Sequence, residues 1–262
     1  MTDDHRIANS TAVTSTLLFF VLTLVISAGI VYLIGSVGEN PDGAILSVLV
    51  PSGVAVALTA RSVGWRGVLK FLRLGGSAPA SFRLWVLAAL TIPFVAGVAV
   101  AIGSAVTGES FEFGLPDEGV VILLPLLIVA VGEEYGWRRY ALRGLQSRYP
   151  AVVAALIIGL VHWVWHYPPS LIETGVPLDT PFWLFGIFVV SLSVLLVAAV
   201  NAGNDAVGLA ILFHFSSNAA FVMTPLLPEN RAGGLTTFSI FVFLMVLTAA
   251  VVVLKNGHGT KV

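Results

Sequence analysis

The amino-acid sequence contains no cysteine among its 262 residues. Disulfide bonds, thiolate metal sites and thiol nucleophiles are therefore excluded. Charged residues are also scarce, since Asp, Glu, Lys and Arg make up 10% of the chain, against roughly 25% in soluble domains. Hydrophobic residues instead make up 57% of the chain, and the mean hydropathy is +0.97. This composition excludes a water-soluble fold.

Apolar runs with few or no charges follow one another along the whole chain. A helix needs about 20 apolar residues to cross the hydrocarbon core of a bilayer. The runs therefore predict an all-α polytopic membrane protein, with about eight transmembrane helices in one membrane domain over residues 1–262. The predicted spans are residues 13–34, 44–60, 84–106, 119–147, 151–167, 181–200, 206–226 and 235–254. We expect the first run to be a retained helix, because it is long for a signal peptide and lacks a clean cleavage site.

Basic residues gather at one side of these predicted spans. If the N-terminus is inside, every Lys and Arg except Arg231 falls in a cytoplasmic segment, whereas the outer loops are acidic. Because Lys and Arg accumulate in cytoplasmic loops, this distribution predicts an integral protein of the cell membrane with both termini cytoplasmic. Residues 65–73, between the second and third predicted spans, place apolar and basic side chains on separate helical faces. This pattern predicts an interfacial amphipathic helix.

The predicted spans contain few ionisable residues, and these occur in three of the spans. A charged side chain at the bilayer centre costs roughly 2.5–3.5 kcal/mol, so each such residue is a candidate for function. The candidates are Glu133, Glu134 and Arg138 in the fourth span, His162 and His166 in the fifth, and His214 with the neighbouring amide of Asn218 in the seventh. Helical hairpins turning near residues 148–150 and 203 would bring them to one depth, with Glu133 opposite His166.

Helical spacing assigns different roles to these residues. Glu134 and Arg138 are four residues apart, so Arg138 is expected to neutralise the Glu134 carboxylate. Glu133 has no such partner on its own helix, which makes it the better candidate for a general base. His214 and Asn218 are also four residues apart, and they could hold a developing oxyanion from one helical face.

Structural and transport functions are the alternatives to catalysis. An Arg–Glu pair is by itself more often structural, and His162 is more simply explained as a packing or hydrogen-bonding residue. An ion- or proton-coupled transporter could use buried Glu and His side chains as a relay. Such a transporter would predict two related halves, and the sequence shows no internal repeat. A catalytically silent immunity or scaffold protein would have the same sequence pattern as an enzyme.

Three motifs occur in order on these spans: Glu133-Glu134-Tyr135-Gly136-Trp137-Arg138, Trp165-His166-Tyr167-Pro168 and His214-Phe215-Ser216-Ser217-Asn218. Their order and separation resemble the CPBP family, which comprises the type II CAAX prenyl endopeptidases and the bacteriocin-processing or self-immunity proteins of the Abi family. The resemblance covers residues 119–226, the helices that carry the motifs and would be catalytic. Two positions differ from the usual pattern, because His162 replaces a Phe or Trp and Arg139 stands where many members have Gly.

The resemblance implies an intramembrane endopeptidase that cleaves a membrane-associated protein or peptide, such as a prenylated CAAX-type substrate. The implied roles are water activation by Glu133 and His166, oxyanion stabilisation by His214 and Asn218, and orientation of these groups by Glu134 and Arg138. The family is often called a metalloprotease family, and His166, His214 and Glu133 could in principle hold zinc. A metal-free glutamate protease would use the same residues, so the need for zinc stays open. The expected partners are the lipid bilayer and the peptide substrate, and no nucleic acid.

The arginines that follow Glu133 lead to an expectation about access to the site. Arg138, Arg139 and Arg143 lie along the same helix, toward the predicted cytoplasmic side. Because hydrolysis consumes water and charged groups at this depth need hydration or partners, we expect a polar cavity that reaches one face. The arginines would line its entrance, so we expect the substrate to enter from the cytoplasmic side.

Overall fold

The computed structural model of the chain describes residues 3–37, 41–110, 119–227 and 234–257. The α-helices in these ranges are α1 (Asp3–Val37), α2 (Val50–Phe71), α3 (Phe82–Thr107), α4 (Leu123–Glu134), α5 (Leu142–Gln146), α6 (Ala151–Trp165), α7 (Tyr167–Ser170), α8 (Phe182–Ala202), α9 (Val207–Met223) and α10 (Gly234–Gly257). Other helical segments extend them: 3-10 helices at Pro41–Leu49 and Gly119–Ile122, and a π-helix at Tyr135–Ala141 between α4 and α5. No β-strand occurs within the described ranges, and the predicted all-α fold is confirmed.

The described residues contain seven helical stretches that are long and apolar enough to cross a membrane: Ala12–Ser36, Ile45–Phe71, Phe82–Thr107, Val120–Gln146, Ala151–Ser170, Phe182–Ala202 and Gly234–Lys255. They correspond to seven of the eight predicted spans. The other predicted span, residues 206–226, corresponds to α9, which has 17 residues. This helix is apolar but shorter than the roughly 20 residues of a straight span, and it is largely buried against α3, α4 and α8. The predicted polytopic membrane fold is confirmed, with α9 as a short helix inside the bundle.

Helix α8 is the most buried of the membrane-length helices, since 67% of the residues in its apolar 18-residue stretch are buried. Small residues bring it close to α6, because a Cβ atom added at Gly159 would lie 2.9 Å from the Cα atom of Val190. Nearby, Ser193 Oγ donates a hydrogen bond to the carbonyl of Ala155 at 2.8 Å. Close contact through small residues is a common basis of helix association within a bilayer. These contacts fix the position of α6, which carries candidate histidines, against the centre of the bundle.

Helix α2 changes direction at Gly64, which has φ 68° and ψ −177°. This backbone conformation is accessible to glycine and costly for other residues. The helix then continues to Phe71 through the segment predicted to be amphipathic. Within it Val68 is fully buried, whereas Trp65 and Leu69 are 65% and 56% exposed. The segment therefore buries one apolar side chain in the bundle and leaves others free to enter a membrane interface.

The guanidinium of Arg139 connects two segments that are distant in sequence. It donates hydrogen bonds to the carbonyls of Lys70 and Phe71 at the end of α2, at 3.4 and 3.2 Å. It also donates to the carbonyl of Asp205, between α8 and α9, at 2.8 Å. The last carbonyls of an α-helix lack partners within the helix, and a guanidinium has enough donors to satisfy several acceptors. Arg139 is 6% exposed, so it joins these segments from inside the protein.

We expect Arg139→Ala to lower the free energy of unfolding by about 2–4 kcal/mol, because three carbonyls lose a charged hydrogen-bond donor together. Thermal or denaturant unfolding in detergent would measure this change. Arg148→Ala, in the exposed turn after α5, is the matched control and should change the free energy by less than about 0.5 kcal/mol. If the two variants were equally stable, Arg139 would not hold these segments together.

Candidate active site

A cavity of about 580 Å³ lies between α4, α6, α8 and α9. The polar residues of its wall include candidates from all three motif-bearing helices: Glu133 from α4, His162 from α6, His166 from the end of α6, and His214 and Asn218 from α9. The helices therefore bring these five residues together, as the sequence predicted. The other two candidates, Glu134 and Arg138, do not line the cavity and instead form a buried polar cluster next to it.

The buried cluster consists of Arg138, Glu134 and His214. Arg138 Nη1 donates to Glu134 Oε1 at 3.0 Å, and His214 Nδ1 lies 2.7 Å from the same oxygen. The side chains of Arg138 and Glu134 are 1% and 0% exposed. The predicted ion pair is confirmed, whereas the contact with His214 was not predicted, because it joins residues 80 positions apart in the sequence.

The contact with Glu134 determines which nitrogen of His214 faces the cavity. An ionised carboxylate accepts hydrogen bonds and donates none, and Glu134 forms an ion pair with Arg138. His214 Nδ1 therefore carries the proton in this contact. The second ring nitrogen, Nε2, is left for the cavity that the ring lines. A carboxylate that orients a histidine in this way is a recurring device in enzyme active sites.

The carboxylate of Glu133 has a partner across the hairpin. Its Oε2 atom lies 2.8 Å from His162 Nε2, and both side chains are buried. The two atoms are in close contact but not aligned as a hydrogen bond. The ring of His162 also stacks on Trp137 and His166, with centroid distances of 4.9 and 5.1 Å. His162 thus packs against other rings as predicted. It is also the contact of Glu133, whose own helix offers the carboxylate no partner.

The register of this hairpin differs from the prediction that Glu133 lies opposite His166. Glu133 contacts His162 instead, one helical turn nearer to the hairpin turn. The π-helix at Tyr135–Ala141 contributes to the difference. It has more residues per turn than an α-helix, so these residues advance a shorter distance along the axis. Arithmetic based on a straight α-helix therefore placed Glu133 too far from the turn.

Two segments of the cavity wall were missed by the sequence analysis. Residues 174–177 lie between α7 and α8, and residues 45–48 lie in the 3-10 helix before α2. Gly175 has φ 71°, and a Cβ atom there would lie 3.1 Å from the Cβ atom of Pro169 and 3.5 Å from His166 Nδ1. A glycine at a turn was the available signal, but nothing in the sequence indicated what the turn would contact.

The three side chains considered for zinc, Glu133, His166 and His214, all line the cavity. Within the described residues, no group of three His, Asp or Glu side chains has an arrangement that could hold a metal ion. Glu133 Oε2 lies against His162, and the contact of His214 Nδ1 with Glu134 leaves the Nε2 atom of His214 toward the cavity.

The expectation that the arginines after Glu133 line an entrance was wrong, because none of them lines the cavity. Arg138 and Arg139 are 1% and 6% exposed, and they bind Glu134 and backbone carbonyls. Residues 135–150 contribute nothing to the cavity wall. A Cβ atom added at Gly136 would lie 2.6 Å from Pro51, so α2 closes this side. Arginines could be buried here because each guanidinium found acceptors within the protein.

We expect Arg138→Ala to lower the free energy of unfolding by about 3–5 kcal/mol, because it leaves the Glu134 carboxylate buried without its cation. Unfolding in detergent would measure this loss. Arg143→Ala is the control on the same span. It removes an ion pair with Asp205 whose side chains are 51% and 46% exposed, so it should cost at most about 1 kcal/mol. A loss in Arg138→Ala no larger than in Arg143→Ala would contradict the stabilising role of the buried pair.

Two comparisons relate the chain to known proteins. Residues 116–220 match the model of a family described as type II CAAX prenyl endopeptidase, Rce1-like. CAAX prenyl protease 2 of Methanococcus maripaludis is 28% identical over 148 residues, which cover 53% of this chain and 51% of that protein. The chain thus spans about half the length of the curated relative. The family-model match contains all three motifs, and together with the relative it supports the resemblance to the CPBP family predicted from those motifs.

Proposed function

We propose that the protein is an intramembrane endopeptidase that hydrolyses a peptide bond in a membrane-associated protein or peptide. The observation that carries this proposal is the cavity, whose lining combines a carboxylate, three imidazoles and an amide with many apolar side chains. Peptide hydrolysis needs a base for water, donors for the oxyanion and a surface that binds the chain. The motif residues provide the base and the donors, and the apolar side chains provide the surface.

Glu133 is the general base in this proposal. Among the described residues that line the cavity it is the one acid, whereas Glu134 is neutralised by Arg138 and lies outside the wall. Its carboxylate takes a proton from a water molecule, and the water oxygen attacks the carbonyl carbon of the peptide. The proton then passes to the leaving amine as the C–N bond breaks. His166 lies at the same wall and holds the water with Glu133.

His214 and Asn218 stabilise the oxyanion that forms on the attacked carbonyl. The amide of Asn218 supplies N–H donors, and His214 donates from Nε2 when its ring is protonated. Glu134 lies 2.7 Å from the opposite nitrogen, where its negative charge stabilises the imidazolium. One well-placed donor is worth about 10²–10³ in turnover. Arg138 holds Glu134 in place and so supports this role from outside the cavity.

His162 and the surrounding protein position the base. The ring of His162 is held between Trp137 and His166, and its Nε2 atom lies 2.8 Å from Glu133 Oε2. A carboxylate restrained in this way loses less freedom when it binds water. The relative's name indicates a prenylated CAAX-type protein as one substrate class for the family. The proposed chemistry does not depend on a prenyl group, and it requires no nucleic acid.

Glu133→Gln is expected to lower peptide cleavage by about 10²–10⁴-fold, because an amide of the same shape cannot accept the proton of water. Cleavage of a fluorogenic peptide library by purified protein in proteoliposomes would measure this loss, with thermal unfolding as the check on folding. Asp179→Asn makes the same chemical change on an exposed loop and should retain turnover. Near-normal turnover in a folded Glu133→Gln variant would rule out Glu133 as the base.

Cleavage is expected to persist after treatment with a strong chelator, because Glu133 and the histidines act as acid–base groups in the proposed mechanism. Elemental analysis of the same samples would report any bound metal, and readdition of zinc is the control. The proposed mechanism would be overturned by stoichiometric zinc whose removal stops cleavage and whose return restores it.

A further inference from the structure

The interfacial segment, residues 65–73, consists of the part of α2 that follows the change of direction at Gly64 and the two residues after the helix. One side of this segment packs into the bundle. Val68 is fully buried, and the ring centroid of Phe71 lies 5.8 Å from that of Tyr135. These contacts fix the orientation of the segment, so the exposed side chains on its remaining surface are turned away from the bundle.

An apolar stripe runs along the exposed surface of the interfacial segment. It consists of Trp65, Leu69 and Leu72, which are 65%, 56% and 40% exposed. Consecutive members are four and three residues apart, and this spacing places them on one side of a helix. Large apolar side chains that stay uncovered beside membrane-length helices indicate contact with the lipid of the bilayer.

A basic stripe runs beside the apolar stripe. It consists of Arg66, Lys70 and Arg73, and all three residues are exposed. Each of them follows a member of the apolar stripe by one position, so the two stripes are about 100° apart around the helix. In the part of the chain that the structure describes, none of these three side chains forms an ion pair. Three positive charges are therefore available to an anionic partner outside the protein.

The two stripes together identify the chemistry of that partner. An amphipathic helix at a membrane surface places its apolar side chains at the boundary of the acyl chains and its basic side chains among the headgroups. Anionic headgroups attract Lys and Arg side chains that lie near the membrane surface. A soluble anion would leave the apolar stripe in water, whereas a bilayer that contains anionic phospholipids covers both stripes at once.

The end of the interfacial segment is bonded to the π-helix in the candidate catalytic span. The hydroxyl of Tyr135 donates a hydrogen bond to the carbonyl of Leu72 at 2.7 Å. Arg139 donates to the carbonyl of Phe71 at 3.2 Å. Tyr135 directly follows Glu134, the last residue of α4. A shift of the interfacial segment would therefore displace the span that carries the proposed base.

The next residue of the same stretch is bonded to α9. The backbone N–H of Gly208 donates to the carbonyl of Leu74 at 3.0 Å. The first N–H groups of a helix have no acceptor within the helix, so this contact satisfies a donor at the start of α9. Helix α9 carries His214 and Asn218. Residues 71–74 thus contact two of the helices that supply the candidate catalytic side chains.

We propose that anionic phospholipids bind the interfacial segment and thereby activate the site. Their headgroups pair with the basic stripe while the apolar stripe enters the bilayer, and residues 71–74 are held where they bond the π-helix and α9. In a neutral bilayer the segment is held less firmly, and the two helices are less ordered. The effect on cleavage rests on the proposed endopeptidase function, whereas lipid binding and the ordering of the helices do not.

A single fluorophore tests the binding of lipid. The parent chain contains no cysteine, so Leu69→Cys can carry an environment-sensitive dye on the apolar stripe. Its emission should shift to shorter wavelength when phosphatidylglycerol replaces part of the phosphatidylcholine in a nanodisc. High salt should reduce the shift, because exposed charges are screened. Equal emission in the two bilayers would overturn the proposal, as would the same shift produced by inorganic phosphate in a neutral nanodisc.

A charge-neutral variant and a matched control locate the effect on the basic stripe. The test variant combines Arg66→Gln, Lys70→Gln and Arg73→Gln. The control removes three other exposed positive charges by combining Arg83→Gln, Arg148→Gln and Lys255→Gln. The test variant should lose the shift and the control should keep it. Loss of the shift in both variants, or in neither, would contradict binding at the basic stripe.

Hydrogen exchange tests the connection to α9 without any need for cleavage. The Gly208 N–H has its acceptor in Leu74, so its protection reports the contact between the two segments. Phosphatidylglycerol should slow its exchange by about fivefold or more in the parent protein and in the control variant. The test variant should show no such change. Exchange that is independent of the lipid in the parent protein would overturn the proposed ordering of α9.

Cleavage in the same bilayers tests the activation itself. For the parent protein and the control variant, kcat/KM should be higher by about fivefold or more with phosphatidylglycerol present, and for the test variant it should not change. Equal kcat/KM in both bilayers, in a parent protein whose fluorescence and exchange respond to the lipid, would overturn the activation. A protein that cleaves nothing in either bilayer would refute the proposed function instead, and the fluorescence and exchange would still decide the binding of lipid.

Discussion

The burial of the Glu134 carboxylate is the constraint on which the site depends. Even lenient scales assign a free-energy cost of roughly 2.5–3.5 kcal/mol to a charge at the centre of a bilayer. Removing one partner of a buried ion pair destabilises a protein by about 3–5 kcal/mol. Arg138 and His214 both contact Glu134 Oε1, at 3.0 and 2.7 Å, and so join α9 to the fourth span. Consecutive residues of a helix point about 100° apart. With Glu134 held inside the protein, Glu133 is turned to the cavity.

The π-helix that follows allows two consecutive arginines to be buried with different partners. Arg138 contacts Glu134, while Arg139 reaches the end of α2 and the carbonyl of Asp205. Nearly every residue from Tyr135 to Ala141 is buried, although the segment reads as charged and surface-like. π-Helical turns occur frequently at functional sites. Here the wider turn also brings Glu133 nearer to the hairpin turn relative to α6, in the direction of His162.

The sequence predicted the features that depend on local patterns. Hydropathy located the membrane-length helices, and the spacing of four residues located the ion pair of Arg138. The contacts of Glu133 with His162 and of Glu134 with His214 were missed, because they depend on the register between distant helices. That register is set by the π-helix and by close packing of α6 on α8, which no local pattern reports. The surroundings of Arg138 and Arg139 were predicted wrongly for a related reason, since a charge pattern does not show whether a guanidinium faces water or protein.

A cavity that ends inside the bundle also suits a protein of the membrane. A polar path through the whole bundle would conduct ions, because charged groups inside it would lower the barrier that lipid provides. The two arginines that follow Glu133 prevent such a path on their side of the cavity. Their guanidinium groups are buried, and they donate hydrogen bonds to Glu134, to the end of α2 and to the carbonyl of Asp205. Two cations are thereby held by acceptors within the protein, and the helices pack closely around them.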